Sequence, residues 1–343
     1  MIDICYYSSD FYAPYTGISM YSLLKNNRDL EFTLHCIDSG ISEHNKDKML
    51  QMAEQFGKTL VFHDYSLLEA YIRDELTLPI CNGSYATYIK VFPEKIFTGC
   101  EKLLFIDGDT IIDGSIRELA ETDMDGKVFA ATKVSLINEN WVYEENDPEN
   151  LRLRYSLKFR DFGYFNIGIF LVNLKKWAEV DFGGEIMRAA EEHLPVIAEA
   201  EDVPTDEMLI NLAALKEENR GYVRPLSAVY NCVTHSIPFR RALKVNLRCG
   251  YIDEEDFTKA YYHPVIIHFC IFKPWYTDAY SPYYPKLQEY RAESPWPDAF
   301  TMQKYESFPQ KVFRRFFYPL QNEKLIRASK QLWDAAAFWK REP

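Results

Sequence analysis

Two carboxylates set two residues apart are the first feature of this sequence that could do chemistry. Asp107 and Asp109 flank Gly108 and follow directly on the apolar run 102–106. Side chains at this spacing can reach one divalent cation, and oxygen ligands favour Mg²⁺ or Mn²⁺. Gly108 lets the backbone turn close to a ligand. The same tripeptide is ordinary turn chemistry, so by itself it indicates a metal site or a simple loop.

A histidine and a lysine late in the chain are the next candidates. His268 lies in the apolar run 265–269, where an imidazole is more often a core residue than a metal ligand. Lys273 precedes Pro274 in a rigid segment and is suited to neutralising a diphosphate leaving group. A solvated surface lysine would explain it equally well.

Three polar residues follow the first apolar run of the chain. Ser8, Ser9 and Tyr12 stand just after residues 2–7. A tyrosine ring at such a place can stack on a base, and short hydroxyl groups can meet the edge of the base. Any loop after a first strand could have this composition.

The elements that must position these residues alternate along the chain. Strand and helix patterns that alternate are typical of a parallel sheet, and ligands bind at the carboxyl ends of its strands. The carboxylates after 102–106 would lie at that edge. Periodicity predicts strands at 2–7, 31–37, 58–62, 102–106, 167–172 and 264–269, with helices at 15–25, 42–56 and 204–215.

Composition narrows the classes of protein. With 343 residues, of which 47% are hydrophobic, the chain can bury a large α/β core. A net charge of −12 argues against non-specific binding to nucleic acid. The seven cysteines include no CxxC pair and are interpreted as reduced core residues. With no basic start before an apolar run and no long apolar stretch, we expect neither a secretion signal nor a membrane span.

Taken in order, the candidate residues resemble glycosyltransferase family 8, which includes glycogenin and bacterial lipopolysaccharide and polysaccharide galactosyl- and glucosyltransferases. The resemblance spans about 1–280 and implies a retaining hexosyltransferase that takes galactose or glucose from a UDP-sugar. It implies a GT-A fold, an α/β mixed sheet flanked by helices, with a smaller C-terminal helical region. The matching segments are the first strand with Tyr12, then 85–90, 104–110, 164–177, 206–211 and 267–275.

The resemblance also assigns roles to residues. Asp107 and Asp109 would be the metal-binding pair, with His268 as third ligand and Mn²⁺, or Mg²⁺, as the cofactor. Lys273 would bind the diphosphate of the donor. The remaining donor contacts implied are Ser8, Ser9 and Tyr12 at the uracil, Lys90 and Gly108 along the donor, and Asn166 and Asp206 near the sugar ring.

This chain departs from the family pattern at three places. Where relatives often carry Asp-Gln-Asp, it has Asp206, Glu207 and Met208, and we expect the catalytic groups to be Asp206, Glu207 and Lys273. We favour Glu207 as a hydrogen-bond acceptor over a nucleophile. The segment between His268 and Lys273 lacks the usual glycine and is one residue shorter, and serines replace the acid or amide at the uracil edge.

The end of the chain differs from the rest. Residues 301–343 contain nine Lys or Arg and four Asp or Glu, a balance of +5. We divide the chain into a transferase domain, 1–280, and a basic, aromatic helical tail, 281–343. Rings beside cations suit an anionic membrane surface, so a cytoplasmic enzyme peripheral to the membrane with a glycolipid acceptor is one interpretation. Packing on the domain or on a second subunit is equally compatible.

Two other functions fit parts of the sequence. A metal-dependent phosphohydrolase would share the carboxylates at the strand end, but Thr110 follows Asp109 directly, unlike the pattern of that class. A non-catalytic nucleotide-sugar binding protein would have no need to keep Asp107, Asp109 and His268 together.

Overall fold

The structure is a computed structural model. It describes residues 2–76, 78–80, 84–134, 162–199, 205–233, 253–270, 273, 275 and 281–299. The predicted features at 301–343 lie outside these residues. In the part of the chain that is described, no helix has both the length and the apolarity needed to cross a membrane.

A seven-stranded sheet forms the centre of the molecule. Its order is β3-β2-β1-β4-β7-β6-β8, in which β7 alone runs antiparallel to its neighbours. The strands are β1 Ile2–Ser9, β2 Phe32–Ser39, β3 Leu60–Asp64, β4 Lys102–Ile106, β6 Phe129–Val134, β7 Tyr164–Asn173 and β8 Val223–Leu226, and β5 Thr110–Ile112 pairs separately with β9 Ile266–His268.

Helices flank the sheet, and the side-chain oxygen of an N-cap residue accepts a backbone hydrogen bond at the start of several of them. Ser42 accepts from the Asn45 amide at the start of α2, and Thr205 accepts from the Met208 amide at the start of α8. The helices are α1 Ala13–Asn26, α2 Glu43–Gln55, α3 Ser66–Glu75, α4 Pro93–Ile96, α5 Arg117–Ala120, α6 Leu174–Glu179, α7 Phe182–Glu199, α8 Asp206–Leu215, α9 Glu254–Tyr262 and α10 Tyr284–Glu293, with short 3₁₀ turns at Ala86–Tyr88, Glu217–Tyr222 and Ala228–Tyr230.

Alternate residues of the strands pack into two cores on opposite faces of the sheet. Cys5 and Phe105 belong to one core, whereas Ile4, Leu104 and Ile106 belong to the other. This alternation is the expected consequence of the two-residue period of a strand. The predicted strands and helices are present to within a few residues, whereas β5, β6 and β8 were not predicted. The α/β class with a mixed sheet is confirmed.

Residues after the predicted boundary at 280 contact the sheet domain. The Trp296 ring packs so closely on α1 that a Cβ at Gly17 would lie 2.1 Å from it. Leu287 and Tyr290 of α10 share a small core with Ile18 and Ile111. Residues 281–299 thus pack on α1 and β5, and the division at 280 stays a prediction.

Candidate active site

A cleft of about 420 Å³ opens at the carboxyl ends of β1 and β4, where sequence analysis placed the ligand edge. Among the predicted site residues that line it are both carboxylates of the Asp-Gly-Asp turn. The lining residues that carry polar groups are Tyr7, Tyr12, Thr87, Lys90, Asp107, Asp109, Asp206, His268, Cys270 and Lys273.

Backbone and side-chain hydrogen bonds fix the turn that carries the two aspartates. The Asp107 amide donates to the Gly168 carbonyl on β7 at 2.8 Å, and the Phe269 amide donates to the Asp109 carbonyl at 2.9 Å. Thr110 Oγ1 donates to the Asp107 carbonyl at 2.8 Å. A side chain at Gly108 would clash, because its Cβ would lie 2.3 Å from Thr16 Oγ1. The turn is held from three sides and needs glycine at its centre.

His268 reaches the aspartates because β9 pairs with β5. Thr110, the residue after Asp109, is the register partner of His268. The His268 Nε2 atom lies 3.3 Å from Asp109 Oδ1 and 3.7 Å from Asp107 Oδ2. Gly168 leaves room for the ring, since a Cβ there would lie 2.2 Å from His268 Cε1. Two carboxylates and one imidazole therefore converge.

Two lysines neutralise the aspartate pair. Lys90 is buried, and its Nζ donates to Asp107 Oδ1 at 2.6 Å and to the Ile167 carbonyl at 2.9 Å. Lys273 Nζ lies 3.0 Å from Asp109 Oδ2 and donates to the Tyr12 hydroxyl at 3.2 Å. Each aspartate thus has its own lysine.

These contacts shift the pKa values of the group in opposite directions. Burial by itself would raise the pKa of Asp109, but His268 and Lys273 outweigh it and bring that pKa well below its usual range. For His268, burial lowers the pKa, yet Asp109 and Asp107 outweigh burial and leave it raised. The pKa of Lys90 is likewise raised, because Asp107 and Asp206 outweigh burial. The aspartates and the surrounding cations stabilise one another's charges.

A second carboxylate pair, Asp206 and Glu207, lies in the first turn of α8. Burial, partly offset by Lys90, raises the pKa of Asp206 to about 6. Burial and the neighbouring Asp206 raise the pKa of Glu207 to about 7. Glu207 Oε2 accepts from Asn166 Nδ2 at 2.8 Å and from the Ile167 amide at 3.2 Å. The pKa values of Asp206 and Glu207 are thus raised, whereas that of Asp109 is lowered.

Asparagines connect Glu207 to His268. Asn166 Oδ1 accepts from Asn231 Nδ2 at 2.7 Å, and Asn231 Oδ1 lies 2.9 Å from His268 Nδ1. Asn166 was predicted from the sequence, but Asn231 was not, because it stands in a short loop with no motif around it. Tyr7 and Cys270, which line the cleft, were not predicted either.

Ser8, Ser9 and Tyr12, which were predicted to contact the uracil, differ in their position relative to the cleft. Tyr12 lines the cleft, with the Lys273 ammonium 5.3 Å from the centre of its ring. Ser8 is fully buried and donates to the Ser9 carbonyl at 3.0 Å. Neither serine is among the residues that line the cleft. Their contact with a base stays a prediction.

The donor set of this cleft fits a hard divalent cation. Asp107, Asp109 and His268 each offer one ligand atom, and these atoms lie within 4.8 Å of one another. Carboxylate oxygens with one imidazole nitrogen are ligands that Mn²⁺ and Mg²⁺ accept. The residues brought together are the three that the family resemblance implied.

A second mixed cluster lies on the core-facing side of the first strands. Asp3, His35 and Cys100 have ligand atoms equally close to one another. Here His35 bonds to Asp3 at 3.0 Å and to His63 at 2.9 Å, and burial and Asp3 raise the pKa of Cys100 to about 11. Because its polar groups bond to each other and its thiol stays protonated, we interpret it as a structural cluster.

Comparison with known proteins places the chain in a family. The sequence matches Glycosyl transferase family 8 over residues 3–279. A putative glycosyltransferase of Haemophilus influenzae is 26% identical over 52% of this chain, which spans only 50% of that relative. The lipopolysaccharide 1,2-glucosyltransferase of Escherichia coli K12 is 24% identical, over 87% of this chain and 79% of the relative.

The fold agrees with a solved structure. The galactosyltransferase LgtC, in complex with donor and acceptor sugar analogues, superimposes with a TM-score of 0.61 at 22% identity, covering 88% of this chain and 98% of LgtC. At this identity the likeness establishes the fold, which is the GT-A fold that the resemblance implied. The match over residues 3–279 establishes more: the chain is a member of glycosyl transferase family 8.

Proposed function

We propose that this protein is a retaining glycosyltransferase that moves galactose or glucose from a UDP-sugar to a saccharide or lipopolysaccharide-type acceptor. The observation that carries the proposal is the convergence of Asp107, Asp109 and His268 beside Lys273 in one cleft. In this arrangement a cation and a diphosphate can be held side by side. Family membership supports the same reaction class.

Asp107, Asp109 and His268 would hold Mn²⁺, with Mg²⁺ as the alternative. The bound ion supplies positive charge that stabilises a departing diphosphate. The protein's own part is to keep Asp109 ionised, which its lowered pKa achieves. Lys90 holds Asp107 in place through its 2.6 Å bond.

Lys273 is suited to the diphosphate of the donor. Transfer breaks the bond between the anomeric carbon and a phosphate oxygen, and its electron pair stays on the UDP. The acceptor hydroxyl oxygen forms the new bond to carbon, and its proton leaves with the departing UDP. Lys273 lies at the cleft wall beside Asp109 and Tyr12. Its ammonium group would stabilise the negative charge that develops on the diphosphate, while Tyr12 would stack on the uracil.

Asp206, Glu207 and Asn166 form the side of the site that would face the sugar. Glu207 Oε2 already accepts two hydrogen bonds, one from Asn166 and one from the Ile167 amide. These bonds orient Asn166 and support the role of Glu207 as an acceptor. A trapped glycosyl-enzyme mapped to Glu207 would contradict this role and would favour a covalent intermediate.

The relatives are compatible with either of two donors, UDP-glucose or UDP-galactose. One relative is a glucosyltransferase of lipopolysaccharide, and one structural neighbour is a galactosyltransferase. For this chain we propose a glycolipid or saccharide acceptor at the cytoplasmic side of a membrane. The comparisons give no support to a phosphohydrolase or to a non-catalytic binding protein.

Release of UDP tests the proposal. Purified protein is incubated with a panel of UDP-sugars in Mn²⁺ or in EDTA, alongside Asp109→Asn and the control Asp125→Asn, whose side chain is exposed on the surface. We expect metal-dependent release from one donor, lowered about 10²–10³-fold by Asp109→Asn and unchanged in the control. No cleavage of any donor, together with no stabilisation by UDP, would reject the proposed function.

A further inference from the structure

Asn231 is buried beside the metal-ligand candidates but does not belong to them. It is 2% exposed and follows the short turn Ala228–Tyr230. Its position is set by the backbone, because the Cys232 amide donates to the Ile266 carbonyl at 2.9 Å and the His268 amide donates to the Cys232 carbonyl at 3.1 Å. The residue that follows Asn231 is thus bonded to β9 through both its amide and its carbonyl.

The Gly168 backbone N–H fixes which way the side-chain amides of Asn166 and Asn231 are oriented. The Gly168 backbone N–H can only donate, so the Asn166 atom 3.0 Å away is its oxygen. The nitrogen of Asn166 therefore faces Glu207 Oε2, which accepts it at 2.8 Å. Because the Asn166 oxygen accepts, the Asn231 atom 2.7 Å from it is the amide nitrogen.

The remaining contact decides the state of the histidine. With its nitrogen toward Asn166, Asn231 presents its oxygen to His268 Nδ1 at 2.9 Å. An oxygen acceptor requires Nδ1 to carry hydrogen. Nε2, the atom 3.3 Å from Asp109 and 3.7 Å from Asp107, is then the nitrogen that can bind a metal, which would replace the proton on it.

We propose that Asn231, oriented by Asn166, is a positioning residue that fixes His268 with hydrogen on Nδ1 and so presents Nε2 to the cation. The inference rests on the proposed metal site. The same Asn166 amide bonds to both Glu207 and Asn231, so the proposed role of Asn231 connects Glu207 with His268. Hydrogen bonds to the second nitrogen of a ligating histidine commonly set its orientation and basicity.

Metal affinity tests the role of Asn231. Mn²⁺ binding to the full chain is measured by electron paramagnetic resonance for the parent, Asn231→Leu, Asn231→Asp and Asn219→Leu. Asn219 is the matched control, because it is also a buried asparagine and donates to the Ala213 carbonyl at 2.9 Å, away from the cleft. We expect a 10–100-fold weaker Kd for Asn231→Leu and an unchanged Kd for the control.

Asn231→Asp separates positioning from simple packing. Its carboxylate still accepts from Nδ1 but meets the Asn166 oxygen, so we expect a loss of less than about tenfold. Equal Kd values for the parent and Asn231→Leu would overturn the inference while leaving the metal site intact. A parent that binds no Mn²⁺ would instead reject the proposed function on which the inference rests.

A measurement on the parent alone covers the case in which the variants do not fold. The imidazole nitrogens of His268 are observed by ¹⁵N NMR in protein loaded with Zn²⁺, a diamagnetic ion that binds imidazole. We expect the directly bonded proton on Nδ1. A proton on Nε2, with Nδ1 bound to the ion, would overturn the proposal.

Discussion

Two carboxylate pairs lie at or beside the cleft, Asp107 with Asp109 and Asp206 with Glu207, and their electrostatic surroundings differ. Asp107 and Asp109 contact Lys90, Lys273 and His268. Asp206 and Glu207 receive mainly neutral donors, including the Ile167 amide and Asn166, and only the more distant charge of Lys90. The pKa of Asp109 is accordingly lowered, whereas the pKa of Glu207 is raised to about 7.

In the proposed function, this difference serves two purposes. Asp109, kept ionised by His268 and Lys273, would bind the metal. Glu207, which has neutral donors and a raised pKa, would take part in hydrogen bonds with the uncharged sugar. Lys90 acts on both pairs, since it bonds to Asp107 and its charge offsets part of the rise that burial causes in the pKa of Asp206.

Removing Lys90 should have the largest effect on stability. Lys90→Met removes the 2.6 Å partner of Asp107, whose side chain is 37% exposed, and also the donor to the Ile167 carbonyl. We expect a loss of about 2–3 kcal/mol in the free energy of unfolding. Urea unfolding at pH 8 measures it. Added Mn²⁺ should restore part of the loss, because it binds the folded protein only.

Lys102→Met is the matched control for that substitution. Its Nζ donates to two backbone carbonyls, those of Ala120 and Thr122, each at 2.6 Å, and contacts no carboxylate. We expect this substitution to lower the free energy of unfolding by about 1–2 kcal/mol. Equal losses for the two lysines would show that the charge of Asp107 is not what makes Lys90 important.

Gly168→Ala should act on the first pair through His268. The new Cβ would lie 2.2 Å from Cε1 and 2.7 Å from Nδ1, so the imidazole must move. We expect a stability loss of about 1–3 kcal/mol and a Kd for Mn²⁺ at least about tenfold weaker. Gly221→Ala, at a glycine with open space around it, serves as control. Unchanged Mn²⁺ binding in Gly168→Ala would remove His268 from the ligand set.

Glu207→Gln should stabilise the protein, by about 1–2 kcal/mol at pH 8. The folded pKa of about 7 lies above the ordinary value of 4.5, so the folded state binds the extra proton between these pH values. Stability of the parent therefore falls as pH rises through this window, and the substitution should remove part of that slope. The gain should vanish near pH 4.

Thermal unfolding from pH 4 to pH 8 measures this gain. Glu218→Gln, at an exposed glutamate, should show no such pH dependence. A destabilised Glu207→Gln at pH 8 would mean that the carboxylate is held by stronger contacts than its neutral neighbours provide, and the contrast between the two pairs would fail.

Local patterns in the sequence were enough to predict most of the elements that carry the site, although β5 was not among them. The apolar run 102–106 ends at Asp107 because charge cannot continue into a strand buried on both faces, and β4 is buried over most of its length. The helix that begins at Asp206 follows a residue able to cap it, Thr205. Such signals depend on neighbours in the chain, so a single sequence contains them.

The convergence of the ligands depended on the tertiary structure. The pairing of β5 with β9 brings His268 to Asp109, and no local pattern specifies that register. The bond from Lys90 to Asp107 joins residues 17 apart in the chain, and the prediction that Lys90 touches the donor stays a prediction. Asn231 gave no signal, because an asparagine in a loop is common and its partners are distant in sequence.

By itself, then, the sequence determined where strands end and which acids stand at those ends, because apolar periodicity and capping act over a few residues. Only the tertiary structure decided which acids receive lysines, which nitrogen of His268 faces them and which asparagine orients it. These depend on contacts between distant segments, and the charges and hydrogen bonds of a buried site are set by those contacts.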